Sequence, residues 1–310
     1  MIRDSEGNEV AVNKVQKFGA KCVKGPSELI RHMRYAFSKG YLTLQKIPAH
    51  DGEAILCGAG PSLADNLDTI RELQSKGHLV CAIKSAHDFL MENGIRPHMA
   101  VAVDPQEKIA DLYKKPGYGI RYFMATQCHP AVFDALKGYK VVTWNIYTKS
   151  VKEYWEKHFK KKGQNRTLFF VNGGSTSGLR CISLAWIMGY RRLHLFGYDS
   201  CLKTPEGEDI TVEQMEGADL KIGGVKNKKE VMAIDADERR FYCDPAMALQ
   251  ANEFLPQVEH MPDIRIKAYG KGLIPWIVER AALRNMDQCR MIDEDWDVDS
   301  PRRGSLDLIK

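Results

Sequence analysis

Residues 55–63 read ILCGAGPSL, an apolar run that breaks into Gly-Ala-Gly-Pro-Ser and then resumes in a helical rhythm. The run has the length of a strand, and Leu63, Leu67, Ile70 and Leu73 follow at the spacing that buries one face of a helix. The same unit recurs along the chain. AILC, HLVCAI, MAVAVD, RYFMATQ, KVVTWNI, TLFFV, RLHLFGYD and IRIKAYG are short apolar runs, mostly separated by amphipathic segments. Such alternation predicts an α/β fold with a mostly parallel sheet and helices on both faces.

Outside this rhythm the chain changes character. Residues 1–50 predict a helical lead-in, because Leu29, Ile30, Met33 and Phe37 recur at three-to-four-residue spacing within SELIRHMRYAFSKGYLTL. Residues 51–285 carry the strand-and-helix domain, within which 200–244 loses the rhythm and reads as a lid-like insertion. Near the end of that insertion VMAID followed by RRFYC suggests a hairpin. The last segment, 286–310, is polar enough to fray.

Composition sets the class of molecule. Of the 310 residues, 44% are hydrophobic and 27% charged, which is the balance of a folded globular chain rather than a disordered one. A net charge of +5 suits anionic ligands without demanding a nucleic acid. The start, MIRDSEGNEVAVNK, lacks the apolar core of a secretory signal, and no apolar run nears the roughly 20 residues of a membrane helix. The expectation is a cytoplasmic protein with no membrane span. The eight cysteines are dispersed without the close pairs that clamp zinc, so the sequence names no metal ligands.

In a parallel sheet, ligands sit beyond the carboxyl ends of the strands. At the first such corner, Gly58 and Gly60 permit close approach, Pro61 pre-sets a helical turn, and Ala59 and Ser62 complete a loop suited to a phosphate. The alternative is a tight strand-to-helix turn with no ligand, since neither a third glycine nor a Gly-Lys-Ser/Thr follows. A second corner, VNGGSTSGLR, repeats the logic with Gly174, Ser175, Thr176, Ser177 and Gly178. Lys84 and Ser85 follow another strand. Asp104 and Asp199 each end a strand, where a carboxylate can bind a ribose hydroxyl, hold Mg²⁺, act as a base or cap a helix. His129 is a candidate base, whereas His194 lies inside a strand pattern and reads as a core residue. The stretch 152–166 mixes lysines with Tyr154, Trp155 and Phe159, which fits either base stacking on nucleic acid or an amphipathic helix with a solvated basic face.

With these residues named, the chain resembles the family of 6-hydroxymethylpterin diphosphokinases and motility-accessory-factor glycosyltransferases, and is similar to bacterial CMP-sialic-acid transferases. The resemblance rests on CGAGPSL, VAVDP, STSGLRCISLAWIMGYRRLHLFGYDS and AMALQANEFLPQ followed by IRIKAYGKG. It implies a Rossmann-like transferase core in which the corners at 58–62 and 176–178 hold phosphate and ribose, with Asp104 where relatives carry an aspartate or asparagine near the ligand and Asp199 at a recurrent acidic position. Lys84 stands where relatives commonly carry an asparagine, which points to a charge contact with phosphate. FYCDPAMALQ lacks the histidine that sialyltransferases use, and Ser200 and Cys201 stand where they place a phosphate-binding tyrosine.

Three functions follow as expectations. The first is a glycosyltransferase with a nucleotide-sugar donor held at Lys84 and the two corners, its acceptor deprotonated by Asp104, Asp199 or His129. The second is a Mg-dependent diphosphokinase that acts from ATP, a nucleoside triphosphate, on a pterin-like alcohol. The third is a non-catalytic nucleotide- or nucleic-acid-binding module, and nucleic acid is also a conceivable acceptor for the first.

Overall fold

The computed structural model describes residues 24–158, 169–203, 232–236, 239–261 and 263–284. The expected lead-in up to 23, most of the lid-like insertion and the tail from 285 lie outside the described residues.

Every apolar run quoted above forms a strand. Glu53–Cys57 (β2), Leu79–Ile83 (β3), Met99–Ala102 (β4), Arg121–Ala125 (β5), Lys140–Ile146 (β6), Phe170–Val171 (β7), Arg192–Phe196 (β8) and Arg265–Ala268 (β11) belong to one sheet. Leu42–Thr43 (β1) joins them, and all pairings in this nine-stranded sheet are parallel. The segment expected as a helical lead-in thus also supplies an edge strand. Its helix, Pro26–Ser38 (α1), stops before Gly40, whose φ of 68° a side chain resists, and the chain then extends to pair with β6.

The remaining α-helices are Leu67–Ser75 (α2), Ala86–Glu92 (α3), Pro130–Ala135 (α4), Lys149–His158 (α5), Ser177–Ile187 (α6), Pro245–Glu259 (α7) and Leu273–Arg284 (α8). Met232–Ala236 (β9) and Arg239–Cys243 (β10) form the antiparallel hairpin read at VMAID and RRFYC. Both faces of the sheet are covered, as a continuous apolar strand requires. Along β2 the side chains alternate between two apolar clusters: Ala54 and Leu56 face one, while Ile55 and Cys57 face the other with Leu63, Ile70 and Leu73.

The strand order β1-β6-β5-β4-β3-β2-β8-β11 positions the site. From β2 the chain steps outward through β3, β4 and β5 to β6, adds β7 beside β6, and returns through α6 to place β8 on the other side of β2. The direction of winding therefore reverses between β2 and β8. In open parallel sheets that reversal marks the edge where ligands bind.

Candidate functional site at the carboxyl edge of the sheet

The loops after β2, β8 and β11 meet at this reversal and interlock. Gly58 donates its amide to the Phe196 carbonyl (2.8 Å) and Gly60 to the Gly197 carbonyl (2.9 Å). The Ser62 amide and hydroxyl both donate to Oδ2 of Asp199, at 3.0 and 2.9 Å. A methyl group on Gly60 would lie 2.2 Å from that oxygen, and one on Gly58 would lie 2.6 Å from the Gly197 carbonyl oxygen. Gly272 is equally confined, with a Cβ position 2.5 Å from the Asp199 Cα, and the Leu273 amide at the start of α8 bonds the Asp199 carbonyl at 2.7 Å. The glycines of the first corner are therefore required by backbone packed on backbone. Their amides at 58, 60 and 62 are engaged by protein acceptors, and the corner continues as a 3₁₀ helix, Pro61–Asn66, before α2 begins at Leu67.

Asp199 is only 3% exposed. Burial raises its pKa, against the opposing effect of the Ser62 donors. It acts in this structure as the buckle of three loops. Ser200 beside it is buried with φ 51°, a left-handed backbone held by the same packing.

The second corner lies against the first through one aromatic ring. Tyr198 donates its hydroxyl to the Gly178 carbonyl (3.0 Å), and its ring approaches the Cβ positions of both Gly178 (3.1 Å) and Gly58 (3.4 Å). The two corners thus converge on one part of the edge. The Thr176 hydroxyl caps α6 by accepting from the Leu179 amide. Upstream of the cap, the Gly174 amide donates to Gln257 (2.9 Å), and the Ser175 amide and hydroxyl donate to one oxygen of Glu253 (2.7 and 2.8 Å). Ser177 and Gly178 form the first turn of α6. The donors at 174 and 175 are therefore already occupied by the protein, Gly174 by the amide oxygen of Gln257 and Ser175 by the carboxylate of Glu253.

Over β3 and β4 the edge is more accessible. Lys84 follows β3 and Asp104 follows β4, and the Lys84 ammonium donates to Asp104 Oδ2 at 3.0 Å. Their side chains are 31% and 17% exposed. Lys84 has φ 54°, outside the regions that side chains favour, with its amide bonded to the Val101 carbonyl. Asp104 also accepts from the Gln106 amide (3.0 Å), as a cap residue would. Burial opposes its charge, but the Lys84 ammonium and the Gln106 donors outweigh burial and hold the carboxyl below the ordinary carboxylate range. Exposed Ser85 and half-buried Ala59 and Pro61 flank the pair along the edge.

His129 lies one strand beyond Asp104 and three from the first corner. It caps α4, with Nδ1 accepting from the Ala131 amide at 3.2 Å, and its ring meets His32 edge-on at 5.1 Å. It follows β5, three strands from β2, or roughly 14 Å at the usual interstrand spacing. Cys128 is buried with its thiol on the Ala102 carbonyl, and burial pushes its pKa up. In α5, Trp155 packs on Phe37 of α1 and Tyr154 accepts from Arg34, so these rings are used inside the fold; Phe159 and the basic residues from 159 to 166 lie outside the described residues.

Sequence reasoning missed Tyr198, Gln250, Glu253 and Gln257 as individuals. The last three are spaced i, i+3, i+7 on α7, one helical face, and all three reach the second corner. That spacing was the available signal.

A family model described as 6-hydroxymethylpterin diphosphokinase MptE-like matches residues 28–205. The chain belongs to this family. The match covers the edge from the Gly58 corner through Asp199. Among solved structures, the MAf glycosyltransferase from Magnetospirillum magneticum AMB-1 is similar in fold, with a TM-score of 0.58 and 17% identity over 83% of this chain. The chain spans 39% of that protein's length. No curated protein sequence matches the chain. Family and neighbour are both transferases by description. No helix among the described residues is long and apolar enough to cross a membrane.

Proposed function

We propose that the edge over β2, β3 and β4 binds the phosphates of a nucleotide donor and that the protein is a nucleotide-dependent transferase, with a nucleotide sugar as donor. The observation that carries this reading is the Lys84–Asp104 pair, a part-exposed ammonium and an ionised carboxylate set at neighbouring strand ends beside the point where the winding reverses. The ammonium neutralises charge that builds on the departing nucleotide phosphate. In the transfer, the acceptor hydroxyl oxygen bonds to the anomeric carbon while the bond from that carbon to the phosphate oxygen breaks, and the electron pair leaves with the nucleotide. Asp104 accepts the acceptor's proton. Asp199 suits that role less, because Ser62 already fills Oδ2 and the residue is only 3% exposed.

The family match supports a second reading, diphosphoryl transfer from ATP to a pterin-like alcohol. There the alcohol oxygen bonds to the β-phosphorus and the bond to the α-phosphate oxygen breaks, releasing AMP. Among the described residues of this edge, the Asp104 carboxylate is paired with Lys84 and that of Asp199 with Ser62. Magnesium in this reading enters with ATP, as part of the substrate.

The test is thermal unfolding and product analysis with CMP- and UDP-sugars, and with Mg-ATP plus a hydroxymethylpterin. A nucleotide sugar at a hundred times its Kd should raise Tm by about 5 °C or more, from about 2.7 kcal/mol of linkage. AMP release that requires the pterin alcohol moves the assignment to the second reading. No response to any nucleotide overturns both.

A further inference from the structure

On the far side of β2 from α6, near the amino edge of the sheet, three wholly buried side chains meet. Glu53 opens β2, His78 directly precedes β3, and His194 lies at the centre of β8. All three are 0% exposed. His194 Nε2 lies 2.9 Å from Glu53 Oε2, and His78 Nε2 lies 3.9 Å from the same oxygen. One donor atom from each of the three falls within 4.8 Å of the other two. The imidazoles of His78 and His194 are stacked, with centroids 5.8 Å apart. On the outer side of His194, Nδ1 is 2.9 Å from the Tyr269 hydroxyl.

We propose that Glu53, His78 and His194 form a buried binding site for a first-row divalent transition metal, zinc foremost. Two imidazoles and one carboxylate are a donor set that suits zinc and its neighbours rather than magnesium or calcium, which prefer oxygen throughout. The spacing agrees. Bonds of 2.0–2.1 Å in a tetrahedron place neighbouring ligand atoms about 3.4 Å apart. The two contacts to Glu53 Oε2, at 2.9 and 3.9 Å, fall half an ångström to either side of that, so small side-chain rotations make room for an ion. The surroundings agree as well. Metal-bound histidines characteristically use their second ring nitrogen to hydrogen-bond an outer partner, which fixes the tautomer, and Tyr269 stands in that position. Since the site is closed to solvent, the metal enters as the chain folds and contributes to stability rather than to the chemistry of the opposite edge.

The competing arrangement of the same atoms is a hydrogen-bonded trio in which His194 donates from Nε2 to Glu53 and accepts from Tyr269. Elemental analysis separates the two. The full chain, expressed without a histidine tag in zinc-supplemented medium and dialysed, should hold about one equivalent of zinc, and after refolding with Co²⁺ should show visible absorption that His78→Gln and His194→Gln weaken. Glu53→Gln, His78→Gln and His194→Gln should each lower retained zinc at least tenfold, and chelation during refolding should lower the Tm of the parent chain alone. Tyr269→Phe keeps all three ligands; it should bind metal roughly 10–100-fold more weakly and serves as the informative variant if the ligand substitutions do not fold. Absence of metal from the parent chain, both as purified and after refolding with zinc, overturns the proposal. So does zinc retained equally by folded His78→Gln or His194→Gln, because the ion would then be held elsewhere.

Discussion

Ser62 donates both its amide and its hydroxyl to a single oxygen of Asp199, a residue 137 positions further along the chain. This relationship joins the loops after β2 and β8 at the place where the winding of the sheet reverses. It also accounts for Gly60, whose missing side chain is the space that the Asp199 carboxylate occupies.

Gly60→Ala should therefore be among the most damaging single-methyl changes in the protein. The added Cβ would meet the Asp199 carboxylate at 2.2 Å and the Gly197 carbonyl at 2.6 Å, and the second of these is backbone that cannot swing aside. Overpacking of this kind costs about 1–3 kcal/mol, and loss of the Ser62 bonds adds to it. Urea unfolding should show a lowered midpoint with an unchanged slope. Gly77→Ala, at a glycine with nothing within 4 Å but φ +93°, is the comparison that isolates backbone strain from collision.

Lys84 separates its backbone from its charge in the same way. Both Lys84→Ala and Lys84→Gly remove the ammonium from Asp104, but only glycine relaxes a φ of 54°. Lys84→Gly should be the more stable of the two by about 1 kcal/mol, while both should weaken nucleotide binding at least tenfold. Calorimetric unfolding and ligand titration of the pair check this. Equal nucleotide affinity in the parent and both variants would remove Lys84 from the site.

Much of this architecture is visible in the amino-acid order, because a parallel strand buried on both faces must be a continuous apolar run and the loops that follow it must be small or polar. AILC, HLVCAI and MAVAVD announce β2, β3 and β4 for that reason. Leu42–Thr43 does not, since two residues pairing with one edge carry no periodicity of their own. At the site, residue types could be read but partners could not. Gly58 and Gly60 read as a phosphate loop when considered with their neighbours in sequence, whereas Phe196, Gly197 and Asp199 decide what their amides bond. Gly174 and Ser175 are ambiguous in the same way, since Gln257 and Glu253 reach them from 83 and 78 residues away. His194 read as a core residue, and its partners Glu53, His78 and Tyr269 come from three other segments.

Asp104 provides a test against pH. Its folded pKa lies below the ordinary aspartate value of 3.8, so between the two values the unfolded chain binds the additional proton and stability rises with pH. The contribution is complete above the unfolded value, near 4, and is lost as pH falls through the folded one. Asp104→Asn should flatten that part of the acid limb and lower stability at pH 7 by about 1–3 kcal/mol, because the Lys84 ammonium loses its charged acceptor. Asp199 runs in the opposite direction. Its raised pKa means that the folded state holds the proton longer, so its part of the stability falls as pH climbs from near 4 through the folded value. Denaturation midpoints measured from pH 3 to 7 for the parent, Asp104→Asn and Asp199→Asn should resolve these opposed slopes.

His129 distinguishes a helix cap from a catalytic base. Its Nδ1 accepts the Ala131 amide at the start of α4, and its place beyond β5 is one strand from the end of β4, which carries Asp104, and two from the end of β3, which carries Lys84. If its role is to cap, His129→Asn should preserve stability, since an asparagine oxygen accepts the same amide, while His129→Ala should cost about 1 kcal/mol. Neither change should move the pH dependence of transfer. A base would behave otherwise: both substitutions would lower kcat together and remove a limb of the pH profile near the histidine range, whatever their effect on folding. Parallel measurement of unfolding and of kcat against pH for the two variants therefore assigns His129, and loss of that limb in His129→Asn with stability intact would restore it to the catalytic site.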